Sequence, residues 1–133
     1  RVWKLHLWDV FNGPSKDRNQ LGVFIRIGSH GILVDCGEGM QRQFKIAGVS
    51  LNDITKILIS HWHGDHVLGL PGLIQSMSAT GYEKKLQIYG PLGTKDFMKK
   101  VFEAFLFDRK MELEVHEAKK GVFFENDSNV FFS

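Results

Sequence analysis

The chain has little cysteine and no long apolar run, and each absence excludes a class of protein. Cys36 is the only cysteine, so an internal disulfide framework is excluded and we expect a reducing, cytoplasmic compartment. The longest apolar runs are far shorter than the roughly 20 residues that a membrane-spanning helix needs, so we expect no membrane partner. We also expect no secretory signal before the first strand-like segment.

The excess of positive charge is also small. A formal net charge of +2 does not indicate nucleic-acid binding by itself, because affinity for phosphates depends on clustered Lys and Arg. Hydrophobic residues make up 43% of the sequence and charged residues 24%, as in an ordinary soluble protein. The length of 133 residues is that of one domain, and the function must be sought in the motifs.

A dense group of histidines follows the apolar run 54–60. It contains three imidazoles and a carboxylate, and its members are His61, His63, Asp65 and His66. If the run is a buried strand, these groups lie at the edge of the sheet, where imidazole nitrogen and carboxylate oxygen suit divalent metals. Alternation places His61 and His63 on one side, and we expect Gly64 to supply the bend that returns Asp65 and His66. Histidines in a surface turn or a core are the alternative, but the spacing favours a metal-dependent hydrolase.

Strand-like and helix-like segments both occur along the chain. Apolar alternation predicts strands at residues 2–7, 23–27, 32–35, 54–60, 86–89, 111–115, 122–124 and 130–132. The polar stretch 12–20 predicts a loop, and 28–31 predicts a hairpin turn in which His30 is exposed. Helical signals predict helices at 40–47, ended by Gly48, after Pro71, and from a capping Thr94. We interpret the apolar stripe of the last helix as core packing; it consists of Phe97, Val101, Phe102 and Phe105.

Several motifs resemble one enzyme family. The His-x-His-x-Asp-His cluster at 61–66 looks like the second motif of the metallo-β-lactamase superfamily, and Asp35 after an apolar strand looks like the first. Residues 35–43 are similar to the Asp-Cys-Gly-Glu-Gly-x-Gln-x-Gln of ribonuclease Z, the tRNA 3′-processing endonuclease. Residues 69–73, Gly-Leu-Pro-Gly-Leu, and 14–19, Pro-x-Lys-x-Arg-Asn, are also typical of that family. The sequence therefore resembles ribonuclease Z.

The resemblance implies a fold. It predicts an α/β protein of the metallo-β-lactamase type, an αββα sandwich of which this chain supplies roughly the N-terminal half. Residues 1–133 would then form a single partial domain, because the remaining metal ligands of the family lie further along its chains. We expect the 133-residue chain to be inactive in isolation.

The resemblance also implies a function and a set of site residues. The family cleaves the 3′ trailer from precursor tRNA by hydroxide attack on a phosphodiester, leaving a 3′-hydroxyl, with two divalent metal ions for which zinc is our expectation. His61 and His63 would bind the first ion, and Asp65 and His66 the second. Asp65 would also be catalytic, handling the proton of the attacking water, while Asp35 would orient a ligand histidine through a hydrogen bond.

The same resemblance predicts the partners. Lys16, Arg18 and Asn19 would hold the precursor tRNA through its phosphates, and the complete protein would be a homodimer. Trp62 could stack on a base, although packing beneath the metal residues is the stronger interpretation.

Two further functions remain open at this point. One is another hydrolase of the same fold, acting on a thioester, a sulfate ester or a small phosphodiester, for which residues 61–66 would serve equally well. The other is a non-catalytic RNA-binding half, against which the complete histidine motif argues.

Overall fold

The computed structural model describes residues 3–11, 18–106, 110–118, 121–124 and 130–132. The main sheet in this part of the chain consists of β1 (Trp3–Phe11), β2 (Arg18–Ile27), β3 (His30–Val34), β4 (Lys56–Leu58), β5 (Lys85–Gly90) and β6 (Glu112–Glu117). The helices are α1 (Met40–Ala47), α2 (Gly64–Val67), α3 (Leu70–Ala79) and α4 (Thr94–Ala104). A separate pair of strands is β7 (Gly121–Phe124) with β8 (Val130–Phe132). No helix among the described residues is long and apolar enough to cross a membrane.

The strands of the main sheet lie side by side in chain order. The first three are antiparallel neighbours, whereas β3, β4, β5 and β6 are parallel to one another. Parallel neighbours need a crossover, and α1, α3 and α4 lie in these connections. The carboxyl ends of the parallel strands therefore meet at one edge of the sheet, which is where ligands bind in open α/β sheets.

Successive side chains of each strand point to opposite faces of the sheet. Leu33, Ile57 and Ile88 contact the helices and are fully buried together with Phe44 of α1 and Ile74 of α3. The opposite face carries a second buried cluster, which consists of Ile27, Ile32, Leu58 and Tyr89. A sheet with one helical layer is half of the predicted αββα sandwich.

Local signals placed the first helices correctly. The helix predicted at 40–47 is α1, and Gly48 ends it in a left-handed conformation with φ of 70°. Pro71 lies in the first turn of α3, where its missing N–H has no helical partner to lose. The predicted closing strands also correspond to β6, β7 and β8, with β6 beginning one residue late.

The prediction of a loop over 12–20 is wrong at its end. β1 continues to Phe11, and Arg18 and Asn19 belong to β2, where they pair with Phe11 and Val10. A register shift between Trp8 and Asp9 precedes this extension. The pairing is made by backbone groups across two strands, so the polar side chains of residues 18–20 gave no local sign of it.

The histidine predicted to be exposed in the hairpin turn also differs. His30 is the first residue of β3 and is partly buried, and its Nδ1 lies 3.3 Å from Lys56 Nζ. The ligand strand is shorter than predicted, since β4 spans only Lys56–Leu58.

The predictions for α4 are wrong in two respects. Gly93, with φ of 99°, occupies the cap position, and Thr94 is the first helical residue, whose hydroxyl donates to the carbonyl of Pro91. The helix buries Thr94 and Met98, which lie four residues apart, whereas Phe97 is 42% and Phe105 62% exposed. The apolar stripe therefore lies at the rim of the core, and only part of it packs inward.

Candidate metal centre

The predicted ligands lie at the carboxyl edge of the parallel strands. Asp35 directly follows β3, and the histidine loop, which we define as residues 61–66, begins three residues after β4. Since β3 and β4 are adjacent and parallel, their ends are neighbours. The topology thus brings together two segments that are separated by about 25 residues in sequence.

Within the histidine loop the ligand groups converge. One nitrogen each of His61 and His63 and one oxygen of Asp65 all lie within 4.8 Å of one another. The ring of His61 is 4.8 Å from that of His63 and 4.0 Å from that of His66. His66 Nε2 lies 3.4 Å from Asp65 Oδ2. The structure therefore gathers all four residues that the sequence nominated.

The donor set suits a divalent metal ion. Neutral imidazole and carboxylate are the ligands that zinc and similar ions take. Nδ1 of His66 is hydrogen-bonded to the carboxylate of Asp35. In a neutral ring the lone pair is therefore on Nε2, the nitrogen that faces Asp65. Two lone pairs that face each other at 3.4 Å repel unless a cation or a proton is shared between them. Binding of a cation by these residues would relieve that repulsion.

The route by which the chain brings these ligands together differs from the predicted one. Residues 61–63 have no regular structure, and α2 begins at Gly64, with His63 in the cap position. Asp65 and His66 therefore lie on the first turn of a short helix. Gly64 has no positive φ, so the bend comes from the start of the helix and not from the conformational freedom of glycine.

Asp35 lies behind the histidines. Its backbone has φ of 61°, a conformation uncommon for residues other than glycine, and its N–H donates to the carbonyl of Leu58 at 2.7 Å. The carboxylate accepts hydrogen bonds from His66 Nδ1 at 2.8 Å and from Ser60 N at 2.8 Å and Ser60 Oγ at 2.7 Å. These donors occupy both oxygens of a buried side chain. The structure thus places Asp35 in contact with His66, a candidate ligand, rather than among the candidate ligands.

Backbone contacts join the glycine motifs to this site. Cys36 N donates to the carbonyl of His66 at 2.8 Å, and Gly69 N donates to the carbonyl of Cys36 at 3.0 Å. A Cβ at Gly69 would lie only 2.1 Å from the carbonyl oxygen of Gly37. The absence of a side chain at Gly69 therefore allows the two motifs to approach closely enough to bond.

Cys36 is a packing residue in this arrangement. Its side chain is buried, and burial together with the neighbouring Asp35 raises the pKa of the thiol far above its usual value. A protonated, inaccessible thiol is a poor nucleophile and a poor metal ligand.

Trp62 packs against α4. Its indole N–H donates to Thr94 Oγ1 at 3.0 Å, and its ring lies 5.1 Å from that of Phe97. The partly exposed side of this pair borders an apolar cleft of about 770 Å³ that continues to Pro71 and Phe105. The tryptophan therefore anchors the histidine loop to the helix, as the packing interpretation expects.

The structure does not test the predicted RNA-binding residues. Lys16 lies outside the described residues, and Arg18 and Asn19 begin β2. Their contacts with RNA stay a prediction.

Sequence reasoning missed two polar residues that hold the loop. Ser60 binds Asp35 and lies 3.0 Å from His61 Nδ1, and Thr94 binds Trp62. A serine between a buried strand and a histidine was the available sign for the first. No local sign existed for the second, because its partner is 32 residues away.

Comparison with known proteins identifies the family of the chain. The sequence model described as "Anti-Pycsar protein Apyc1" matches residues 4–128. The chain belongs to the Anti-Pycsar protein Apyc1 family. It is also 44% identical over 114 residues to a ribonuclease Z of Methanothermobacter thermautotrophicus, an alignment covering 86% of this chain and 37% of the relative. The chain thus spans little more than a third of the length of that relative.

Solved structures support the fold. The short form of human tRNase Z superposes with a TM-score of 0.73 at 34% identity, covering 87% of this chain and 44% of that one. The metallo-β-lactamase fold protein YhfI from Bacillus subtilis gives a TM-score of 0.64 at 20% identity, covering 89% and 46%. The predicted metallo-β-lactamase fold and the resemblance to the N-terminal portion of ribonuclease Z are therefore confirmed.

Proposed function

We propose that the complete protein is a metal-dependent endoribonuclease that removes the 3′ trailer from precursor tRNA and leaves a 3′-hydroxyl. One observation carries the proposal: the structure gathers His61, His63, Asp65 and His66 at the edge of the sheet in a chain similar to proteins named ribonuclease Z. The motifs at 14–19 and 69–73 support this substrate over a thioester or a sulfate ester.

The residues divide into two pairs. His61 and His63 hold one divalent ion, and Asp65 and His66 hold the other, with zinc as the proposed metal. When bound, such ions lower the pKa of water and neutralise charge on the phosphodiester and its leaving oxygen. The side chain of Asp65 is 55% exposed, so its carboxylate is accessible to solvent and can accept the proton of the attacking water.

The partners belong to the same proposal. Lys16, Arg18 and Asn19 contact tRNA phosphates, the complete protein forms a homodimer, and it acts in the cytoplasm. Phosphate contacts of this kind position a substrate without reading its sequence.

The test uses the complete protein and a precursor tRNA with a short trailer. We expect a single cut at the 3′ side of the acceptor stem, a 3′-hydroxyl on the released tRNA, loss of cleavage after EDTA treatment, and recovery with zinc or manganese. Mature tRNA without a trailer is the matched control and should not be cut.

Two outcomes would replace the proposal. Metal-dependent hydrolysis of bis(p-nitrophenyl) phosphate with an intact precursor tRNA would indicate a hydrolase of small phosphodiesters. Retention of labelled precursor without hydrolysis of either substrate would indicate a non-catalytic RNA-binding protein.

A further inference from the structure

Ser60 connects the buried carboxylate to the first histidine of the loop. Its hydroxyl oxygen lies 2.7 Å from Asp35 Oδ2 and 3.0 Å from His61 Nδ1, while its backbone N–H donates to Asp35 Oδ1 at 2.8 Å. Asp35 Oδ2 also accepts from His66 Nδ1 at 2.8 Å. One carboxylate oxygen is therefore joined directly to one histidine and through a hydroxyl to another.

The number of protons fixes the direction of these bonds. An ionised carboxylate only accepts, so the single hydroxyl proton of Ser60 lies between Ser60 Oγ and Asp35 Oδ2. Ser60 Oγ can then only accept from His61, which requires a proton on Nδ1 of that ring. A neutral His61 is left with its lone pair on Nε2.

The same argument from the available protons fixes the direction of the hydrogen bond that His66 makes. Its Nδ1 must donate to Asp35, so its lone pair is also on Nε2, the nitrogen that faces Asp65. The N–H of Asp35 donates to the Leu58 carbonyl and its backbone is left-handed, which together fix where the carboxylate lies relative to the two rings. The orientation of two rings thus depends on one buried group.

We propose that Ser60 is a positioning residue that relays the Asp35 carboxylate to His61, so that one carboxylate sets the tautomer and ring orientation of a histidine in each of the two ligand pairs. The inference rests on the proposed function, since it treats His61 and His66 as metal ligands. The two proposed metal positions are therefore coupled through Ser60 and Asp35. Loss of the Ser60 hydroxyl weakens metal binding at the His61 position, whereas the hydrogen bond between His66 and Asp35 stays in place.

The experiment compares Ser60→Ala, Ser60→Thr and Ser76→Ala in the complete protein. Thr restores the hydroxyl. Ser76 is the matched control, because its hydroxyl also donates to a side chain, Gln41 Oε1, without touching a histidine. The first readout is the ¹⁵N imidazole spectrum of the metal-free protein, which reports which ring nitrogen carries the proton. The second is zinc affinity, measured by competition with a chelating dye.

We expect Ser60→Ala to move His61 from the Nδ1–H form towards a mixture of tautomers, to leave His66 unchanged, and to weaken zinc binding by about 10- to 100-fold. Ser60→Thr should restore both readouts, and Ser76→Ala should change neither. Unchanged tautomers in Ser60→Ala would overturn the proposal, as would equal losses in Ser60→Ala and Ser76→Ala. The metal-free spectrum separates this result from the proposed function, since it tests the relay even if the protein cuts no tRNA.

Discussion

Asp35 Oδ2 accepts a hydrogen bond from Nδ1 of His66 at 2.8 Å, across 31 residues of sequence. This contact joins the end of β3 to the first turn of α2. It gives the geometry of the site a physical origin in a carboxylate that is buried, held in a left-handed backbone conformation, and surrounded by donors.

Replacement of Asp35 by Ala should weaken zinc binding at both proposed positions. The substitution removes the acceptor for His66 and the anchor of Ser60, so we expect a larger loss than the roughly 10- to 100-fold typical of a single supporting contact. Zinc titration of the complete protein measures the effect. Glu38→Gln is the control, because Glu38 is an exposed acidic residue of the same segment. Equal affinities in both variants would show that Asp35 does not support the site.

Replacement of Gly69 by Ala should destabilise the fold. The new Cβ would lie 2.1 Å from the Gly37 carbonyl oxygen, so backbone must move and the bond from Gly69 N to Cys36 is lost. We expect the free energy of unfolding in urea to fall by about 2 kcal/mol or more. In Gly72→Ala the Cβ meets only the flexible end of Gln41 at 3.0 Å, so that variant should stay within about 1 kcal/mol of the parent. A Gly69→Ala protein as stable as Gly72→Ala would contradict the close approach.

Cys36 should make stability fall at alkaline pH. Burial and Asp35 raise the pKa of the folded thiol above its usual 9.0, so above pH 9 the unfolded chain releases a proton that the folded chain keeps. The unfolded state then binds fewer protons, and the free energy of unfolding decreases as pH rises. Urea titrations between pH 7 and 10.5 should show a steeper decline for the parent than for Cys36→Ala. Parallel curves would mean that the thiol ionises equally in both states.

How much the sequence could predict depends on how local each signal is. Gly48 and Pro71 mark helix ends through their own backbone chemistry, and both were placed correctly. The four candidate ligand residues were nominated because they are dense in sequence, and the structure brings them together. By contrast, the apolar stripe of α4 shows only that one side of the helix is apolar. It does not show which part of the protein packs against that side, so Phe97 and Phe105 were wrongly assigned to the core.

Contacts between distant segments were the least predictable. Arg18 joins β2 because β1 pairs with it, and Thr94 matters because Trp62 reaches it from 32 residues away. Neither the strand pairing of Arg18 nor the hydrogen bond to Thr94 can be recognised from the neighbouring residues in the sequence. The strand assignment for Arg18 and the anchoring of Trp62 therefore became visible only in the folded chain.

The basic residues should act on tRNA and not on metal. We expect Lys16→Ala and Arg18→Ala in the complete protein to weaken binding of precursor tRNA, with a lower dependence of affinity on salt, because each removes one phosphate contact. Zinc content should stay at the parental value. Lys45→Ala, which changes an exposed lysine at the end of α1, is the control. Unchanged affinity and unchanged salt dependence would show that residues 14–19 have no part in RNA binding.

The most direct test of the central claim is a single-turnover cleavage assay of precursor tRNA by the complete protein and its His63→Ala and Asp65→Ala variants, with zinc supplied and tRNA affinity measured in parallel. The account predicts a loss of cleavage rate of about 100-fold or more in each variant. It predicts little change in tRNA affinity, because that affinity comes mainly from phosphate contacts elsewhere. Cleavage by Asp65→Ala at the parental rate would contradict the assignment of the histidine loop as the catalytic metal centre.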